Sequence, residues 1–164
     1  MKLLFSYNTE KDVENFLKAA KSVNNPRPTK LHNLYVEKFG ENIEVVKVQE
    51  FIESYIKENN IDVEKRTKEI GANWLAIEDK FIKKVEEIFG IKYPKETIEV
   101  FSTTNGRCTY NIEGGYFFVD IQRGNTNITI MHELLHFYTW QVFYKELERK
   151  GLSKLRYNDI KESL

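Results

Sequence analysis

Two histidines one helical turn apart, with a glutamate directly after the first, are the residues of this sequence best suited to do chemistry. They are His132, Glu133 and His136, and they form an H-E-x-x-H pattern. On a helix, positions i and i+4 lie above one another on the same face, so both imidazoles can bind one zinc ion. Glu133 is rotated about 100° from His132 and can act as general base toward a water in an open coordination position. The pattern therefore predicts a catalytic site with Zn²⁺ as its cofactor.

A long helix is predicted around this pattern, over residues 126–146. No Gly or Pro interrupts the chain before Gly151, and Leu, Met, Gln, Lys and Glu are frequent. Thr126 or Asn127 can cap the start of the helix. The alternative is that both histidines are ordinary parts of a packed helix. In that case each buried imidazole would need a polar partner, and a metal ion is one such partner.

Composition excludes several classes of function. The 164 residues contain 25 Lys and Arg and 25 Asp and Glu, so the net charge is zero and argues against binding to nucleic acid or to an anionic membrane. Cys108 is the single cysteine, so an internal disulfide is impossible and a reducing compartment fits. The chain lacks a signal-type apolar segment at its start and any run of about 18 apolar residues. We therefore expect a cytoplasmic protein without a membrane segment.

The first half of the chain is predicted to be a helical N-terminal region, residues 1–90. A short strand or extended arm over residues 2–7 precedes the helices. Apolar residues at helical spacing then predict four helices. These cover residues 9–23, 29–40, 44–58 and 62–89, the last with a bend at Gly71.

The pattern changes at Gly90 to short runs that favour strands. These runs cover residues 97–102, 107–112 and 116–121. Asn105-Gly106 is a hairpin signal between the first two runs, and Glu113-Gly114-Gly115 makes a second turn. We therefore predict an α+β fold, in which the helical region is followed by a small antiparallel sheet and the long histidine helix.

Residues 91–164 are predicted to form the catalytic core, either as a separate part or within one compact domain together with residues 1–90. Ser153 can cap a last helix that runs to Leu164. No terminating signal follows that helix, which is expected of a truncated chain or a cleaved product and equally of a frayed natural end.

Several residues are candidates for the third zinc ligand. A catalytic zinc usually takes three protein ligands and keeps the fourth position for water. No histidine follows His136, so the third ligand must be a carboxylate, Cys108 or His32. Asp159 and Glu162 are three positions apart and share one side of the last predicted helix. Either can face the metal while the other holds a second ring nitrogen of a histidine, or both can be surface carboxylates.

The order of strand, turn, long helix with H-E-L-L-H, and a glutamate on a following helix resembles the gluzincin branch of the zincin metallopeptidases. The resemblance covers about residues 95–164. It implies that His132, His136 and Glu162 are the zinc ligands and that Glu133 is the general base. The chain would then be a hydrolase with a zincin-like fold.

The resemblance also implies that Tyr116–Ile121 is the sheet edge that pairs with an extended substrate. A donor that stabilises the oxyanion is expected as well. The tyrosines open for this role are Tyr110, Tyr138 and Tyr157. The metzincin branch fits poorly, because this chain has Thr139 and Val142 where its pattern needs a glycine and a ligand.

The sequence thus predicts a zinc metallopeptidase that acts on a peptide or protein substrate. The alternative is a non-catalytic zinc-binding regulatory or interaction module of the same fold, with the helical N-terminal half as its partner surface. A third hypothesis is a metal-free helical scaffold. Zinc content and cleavage of a peptide library discriminate among the three.

Overall fold

The computed structural model describes residues 1–21 and 28–151, which form an α+β structure. Within this part of the chain a four-stranded mixed sheet is combined with six helices. The order along the chain is β1 (Lys2–Tyr7), α1 (Thr9–Ala20), α2 (Lys30–Phe39), α3 (Val45–Glu58), α4 (Val63–Leu75), α5 (Glu78–Phe89), β2 (Thr97–Thr103), β3 (Tyr110–Asn111), β4 (Tyr116–Asp120) and α6 (Thr126–Arg149).

The sheet is mostly parallel, so the prediction of a small antiparallel sheet is wrong. The strand order is β1-β2-β4-β3. β1 and β4 both run parallel to β2, and only the two-residue β3 pairs in the antiparallel direction, with β4. The N-terminal segment, which was predicted to be a strand or an arm, thus supplies one edge of the sheet.

The prediction of a hairpin at Asn105-Gly106 is also wrong, and the hydrogen bonds of this segment explain why. Asn105 is buried, and its backbone N–H donates to Thr103 Oγ1 (3.2 Å) instead of closing a ladder between β2 and β3. The chain reverses direction in the loop 104–109, but β3 then pairs with β4 and not with β2. The predicted turn at Glu113-Gly114-Gly115 is confirmed, because it joins β3 to β4 with Gly115 at φ +75°.

The first three predicted helices are confirmed, whereas the continuous helix over residues 62–89 is wrong. Thr29 caps α2, accepting a hydrogen bond from the backbone N–H of His32. α4 ends at Leu75 and α5 begins at Glu78. At the break, the buried Glu78 carboxylate accepts hydrogen bonds from the backbone N–H of Leu3 (3.0 Å) and from Trp74 Nε1 (2.9 Å), which ties the start of α5 to β1 and α4.

Gly71, where a bend was predicted, lies inside α4 and serves close packing. A Cβ at this position would lie 3.3 Å from the ring of Phe5. The glycine therefore lets α4 approach β1 closely.

The main core lies between the sheet and helices α4, α5 and α6. It contains residues from both sides of Gly90. Leu3 and Trp74 come from the first half of the chain, and Phe117 and Leu134 from the second. A second apolar cluster joins α1, α2 and α3, and includes Phe16, Tyr35 and Ile52. The histidine helix is thus packed against α4 and α5 from the first half of the chain and against β4 from the second.

The long helix α6 is confirmed, but its start is not capped as predicted. Asn125 is the N-cap residue, and its side chain makes no capping hydrogen bond. Thr126 is buried, and the Asn127 side chain donates to the carbonyl of Asn73 (3.4 Å) instead. In the part of the chain that the structure covers, no helix has the length and apolar character needed to cross a membrane.

Candidate metal centre

The two histidines of the H-E-x-x-H pattern lie on the outward side of α6, and their imidazole rings are in contact. Ile130, Leu134 and Phe137 recur at helical spacing and are fully buried in the main core. This packing fixes the rotation of α6 and leaves His132 exposed and His136 partly exposed. The Nε2 atoms of the two rings are 3.1 Å apart, and the ring planes are nearly perpendicular (87°).

This arrangement fits a tetrahedral zinc ion. Two nitrogen ligands at 2.0–2.1 Å from a tetrahedral zinc are about 3.4 Å apart, close to the distance observed here. Tyr110 of β3 stacks on the His136 ring, with centroids 4.6 Å apart and planes 19° from parallel. The stacked tyrosine restricts the orientation of this imidazole.

Glu133 is a buried carboxyl group next to the histidine pair. The residue is only 5% exposed, and its Oε2 atom has no hydrogen-bond partner among the described residues. Burial raises the pKa of this carboxyl from 4.5 to about 7. Because leaving a buried carboxyl unpartnered is costly, the arrangement indicates a functional rather than a structural group.

A cavity of about 500 Å³ opens beside His132 and Glu133. One wall is the loop segment 106–108, and another is formed by Arg123 and the first turns of α6. Pro28 and Thr29, at the start of α2, complete it. The volume lies within the range of small-ligand sites, so the cavity can hold part of an extended chain beside Glu133.

Two polar residues of α1, neither of which belongs to a recognisable motif, hold the cavity loop in place. Asn15 donates to the carbonyl of Arg107 (2.9 Å) and to Thr103 Oγ1 (2.9 Å), and accepts from Thr109. Asp12 accepts from the backbone N–H and hydroxyl of Thr104. The sequence did carry a signal, because both residues fall on the buried face of an amphipathic helix, where a polar residue needs a partner.

The third ligand is not found among the residues that the structure describes. No group of three His, Cys, Asp or Glu side chains there can hold a metal ion. Cys108 lines the cavity, but burial raises the pKa of its thiol to about 12. His32 lies on α2 and stacks on Phe16, with ring centroids 5.9 Å apart. Neither residue joins the histidine pair in a three-ligand site.

The remaining candidates from the last predicted helix lie outside the described residues. They are Asp159, Glu162 and Tyr157. Of the other tyrosines, Tyr110 lies beside His136, as described above. Tyr138 is fully buried, and its hydroxyl donates to Glu86 on α5 (3.4 Å). This leaves Tyr110 as the tyrosine that the structure brings next to the histidine pair.

The predicted substrate-binding edge at Tyr116–Ile121 is wrong for its first half, residues 116–118, which the chain itself already pairs. β4 lies between β2 and β3 in the sheet. Its free side is occupied by β3, and the backbone N–H of Phe118 donates to the carbonyl of Thr109 (2.9 Å). The chain itself thus forms the pairing that was expected from a substrate.

Comparison of the chain with protein-family models, with curated proteins and with solved structures gives no match in any of the three.

Proposed function

We propose that this protein is a zinc-dependent metallopeptidase that hydrolyses peptide bonds. The observation that supports it most strongly is the pair of Nε2 atoms 3.1 Å apart next to a buried carboxyl whose Oε2 has no partner in the described structure. The two Nε2 atoms now lie at hydrogen-bond distance from each other, and a metal ion would give both imidazoles a shared partner. A reacting water would give a partner to Glu133.

His132 and His136 would hold the zinc ion, and Glu162 remains the proposed third ligand from the sequence resemblance. A bound zinc lowers the pKa of a coordinated water toward about 7 and polarises the carbonyl of the substrate. The stacking of Tyr110 on His136 keeps one imidazole in the orientation that ligation needs.

Glu133 would act as the general base and then as the general acid. Its carboxylate accepts a proton from the attacking water and returns that proton to the leaving nitrogen of the peptide bond. Burial raises the pKa of this carboxyl to about 7, which makes its carboxylate a stronger acceptor for the proton of the attacking water. The cavity beside it gives the substrate chain a place to lie next to the reacting groups.

A library of short peptides, incubated with zinc-loaded protein and read by mass spectrometry, tests the proposal. We expect cleavage that stops on chelation and returns when zinc is added. Glu133→Gln should keep its zinc but lose activity by about 10²–10⁴-fold, because it removes the proton acceptor.

Zinc binding without cleavage of any library member would instead favour the non-catalytic zinc-binding module. Absence of zinc binding would contradict both proposals and leave the metal-free scaffold.

A further inference from the structure

The cavity beside Glu133 has an arginine on each of two walls, which the peptidase proposal does not explain. Arg123 and Arg107 both line it. The Nη1 atom of Arg107 donates to the carbonyl of Ala19 at the end of α1 (3.3 Å), so part of this guanidinium holds the loop to the helix. Arg123 lies on the other wall, is exposed, and forms no ion pair with any residue in the described ranges 1–21 and 28–151.

Arg123 is held close to the reacting groups. Its Nη1 atom donates to Thr129 Oγ1 (3.3 Å), and this residue is one helical turn before Glu133 on α6. Four residues of an α-helix span about 6 Å along its axis. One residue of an extended chain spans about 3.5 Å. Arg123 therefore lies within about two residues of a peptide bond placed at Glu133.

The start of α6 adds to the positive potential of this wall. The N-cap side chain of Asn125 makes no capping hydrogen bond, and the first turn contains no acidic residue. No acidic side chain of the first turn therefore offsets the partial positive charge of this helix N-terminus. Ile128 and Thr129 of these first turns face the same cavity. Arg123 and this helix end would thus both attract a negative group in the cavity.

We propose that Arg123 selects substrates with a carboxylate within two residues of the cleaved bond. This inference rests on the peptidase function proposed above and adds its substrate class. The carboxylate is either the side chain of an acidic residue or the free C-terminus of the peptide. A guanidinium matches both, because it can donate two parallel hydrogen bonds to one carboxylate.

The test uses acetylated, amidated octapeptides that differ only in Glu or Gln at one position, together with the Gln peptide carrying a free C-terminus. The value of kcat/KM is measured for wild type, Arg123→Gln and Arg149→Gln. Arg149 is the control, because it is an exposed arginine near the other end of α6 that pairs with Glu146. Both variants remove one positive charge, and thermal unfolding confirms that each is folded.

We expect wild type to prefer a carboxylate by about tenfold, the size of one charge-assisted hydrogen bond at a partly exposed site. A preference for Glu over Gln identifies the acidic side chain, and a preference for the free C-terminus identifies the terminal carboxylate. In Arg123→Gln this ratio should fall toward one, and in Arg149→Gln it should stay as in wild type. Arg123→Glu should favour Lys over Gln at the same position.

Fluorescence anisotropy of the same peptides, labelled with fluorescein, separates this inference from the peptidase proposal. It measures binding to zinc-loaded Glu133→Gln protein, which does not depend on turnover. If no peptide is cleaved but carboxylate peptides bind more tightly through Arg123, the peptidase function fails and the carboxylate selection stands. Equal ratios in wild type and Arg123→Gln, or no difference between carboxylate and amide peptides in either measurement, overturn the inference.

Discussion

Two carboxyl groups on two helices of this protein are buried to a similar degree but differ in the hydrogen bonds that they accept. Asp12 on α1 is fully buried and accepts hydrogen bonds from Thr103, from the backbone and hydroxyl of Thr104, and from Tyr7. Glu133 on α6 is almost as buried, and its Oε2 atom accepts none from the described residues. The first arrangement stabilises the fold, whereas the second leaves a carboxyl ready for a partner from outside the chain.

Replacing each carboxyl by its amide tests this difference through the free energy of unfolding. The largest loss is expected for the carboxyl on α1. Asp12→Asn places an NH₂ group among the donors of Thr103 and Thr104, which leaves buried donors without acceptors. We expect the free energy of unfolding to fall by about 3 kcal/mol. Chemical denaturation measures it, with Asp79→Asn on the exposed side of α5 as control. A loss no larger than that of the control would show that the Asp12 cluster is not structural.

Asn15→Ala should have the next largest effect, about 2 kcal/mol, because the Asn15 amide bridges Thr103, Arg107 and Thr109. Asn105→Ala is its matched variant, since the buried Asn105 amide has no hydrogen-bond partner among the described residues. Its loss should be smaller. Equal losses would mean that side-chain volume, rather than the hydrogen bonds, holds the cavity loop.

Glu14 provides a third carboxyl, on the same helix as Asp12 but partly exposed. Partial burial alone would raise its pKa, but hydrogen bonds from Lys11, Lys18 and Tyr116 outweigh it and lower the pKa to about 2. The ionised form is therefore favoured in the folded state. The stability that Glu14 contributes is present above pH 4.5 and is lost as the pH falls toward about 2.

We expect Glu14→Gln to cost at most about 1 kcal/mol at neutral pH, the range of partly exposed ion pairs. The difference from wild type should disappear as the pH falls from 4.5 to about 2. Denaturation curves over this pH range provide the measurement. A difference that grows at low pH would contradict the assigned shift.

Glu133→Gln should have the smallest effect on stability, unchanged or slightly raised in metal-free protein at neutral pH. The amide removes the cost of burying a charge and breaks no hydrogen bond to Oε2 that the described structure shows. Its unfolding is compared with that of Asp12→Asn under the same conditions. A loss as large as the one expected for Asp12→Asn would make Glu133 a structural residue.

The sequence predicted what local patterns control. The apolar stripes of the first three helices, the long helix α6 and the juxtaposition of His132 and His136 all follow from residue spacing within one segment. The strand directions did not follow, because β1 pairs with β2 across about 90 residues of intervening chain. A local hairpin signal at Asn105-Gly106 could not reveal that Asn15 of α1 holds this loop in another shape.

The candidate site likewise contains residues that the sequence predicted and residues that it did not. The histidine pair and Glu133 belong to one helix, so their spacing predicts their geometry. Tyr110 comes from β3 and reaches the site only through the tertiary fold, whereas Arg123 immediately precedes α6. The role of Glu162 as a zinc ligand depends on residues outside the described ranges and stays a prediction.

The most direct test of the account is the zinc content of protein purified without chelators, measured by elemental analysis for wild type, His132→Ala and His136→Ala. We predict one zinc per wild-type chain and loss of most of it in either variant. Zinc at about 100 times its dissociation constant should also raise the free energy of unfolding of wild type by about 2.7 kcal/mol. Wild-type protein that binds no zinc, or variants that keep it fully, would contradict a metal centre at the histidine pair.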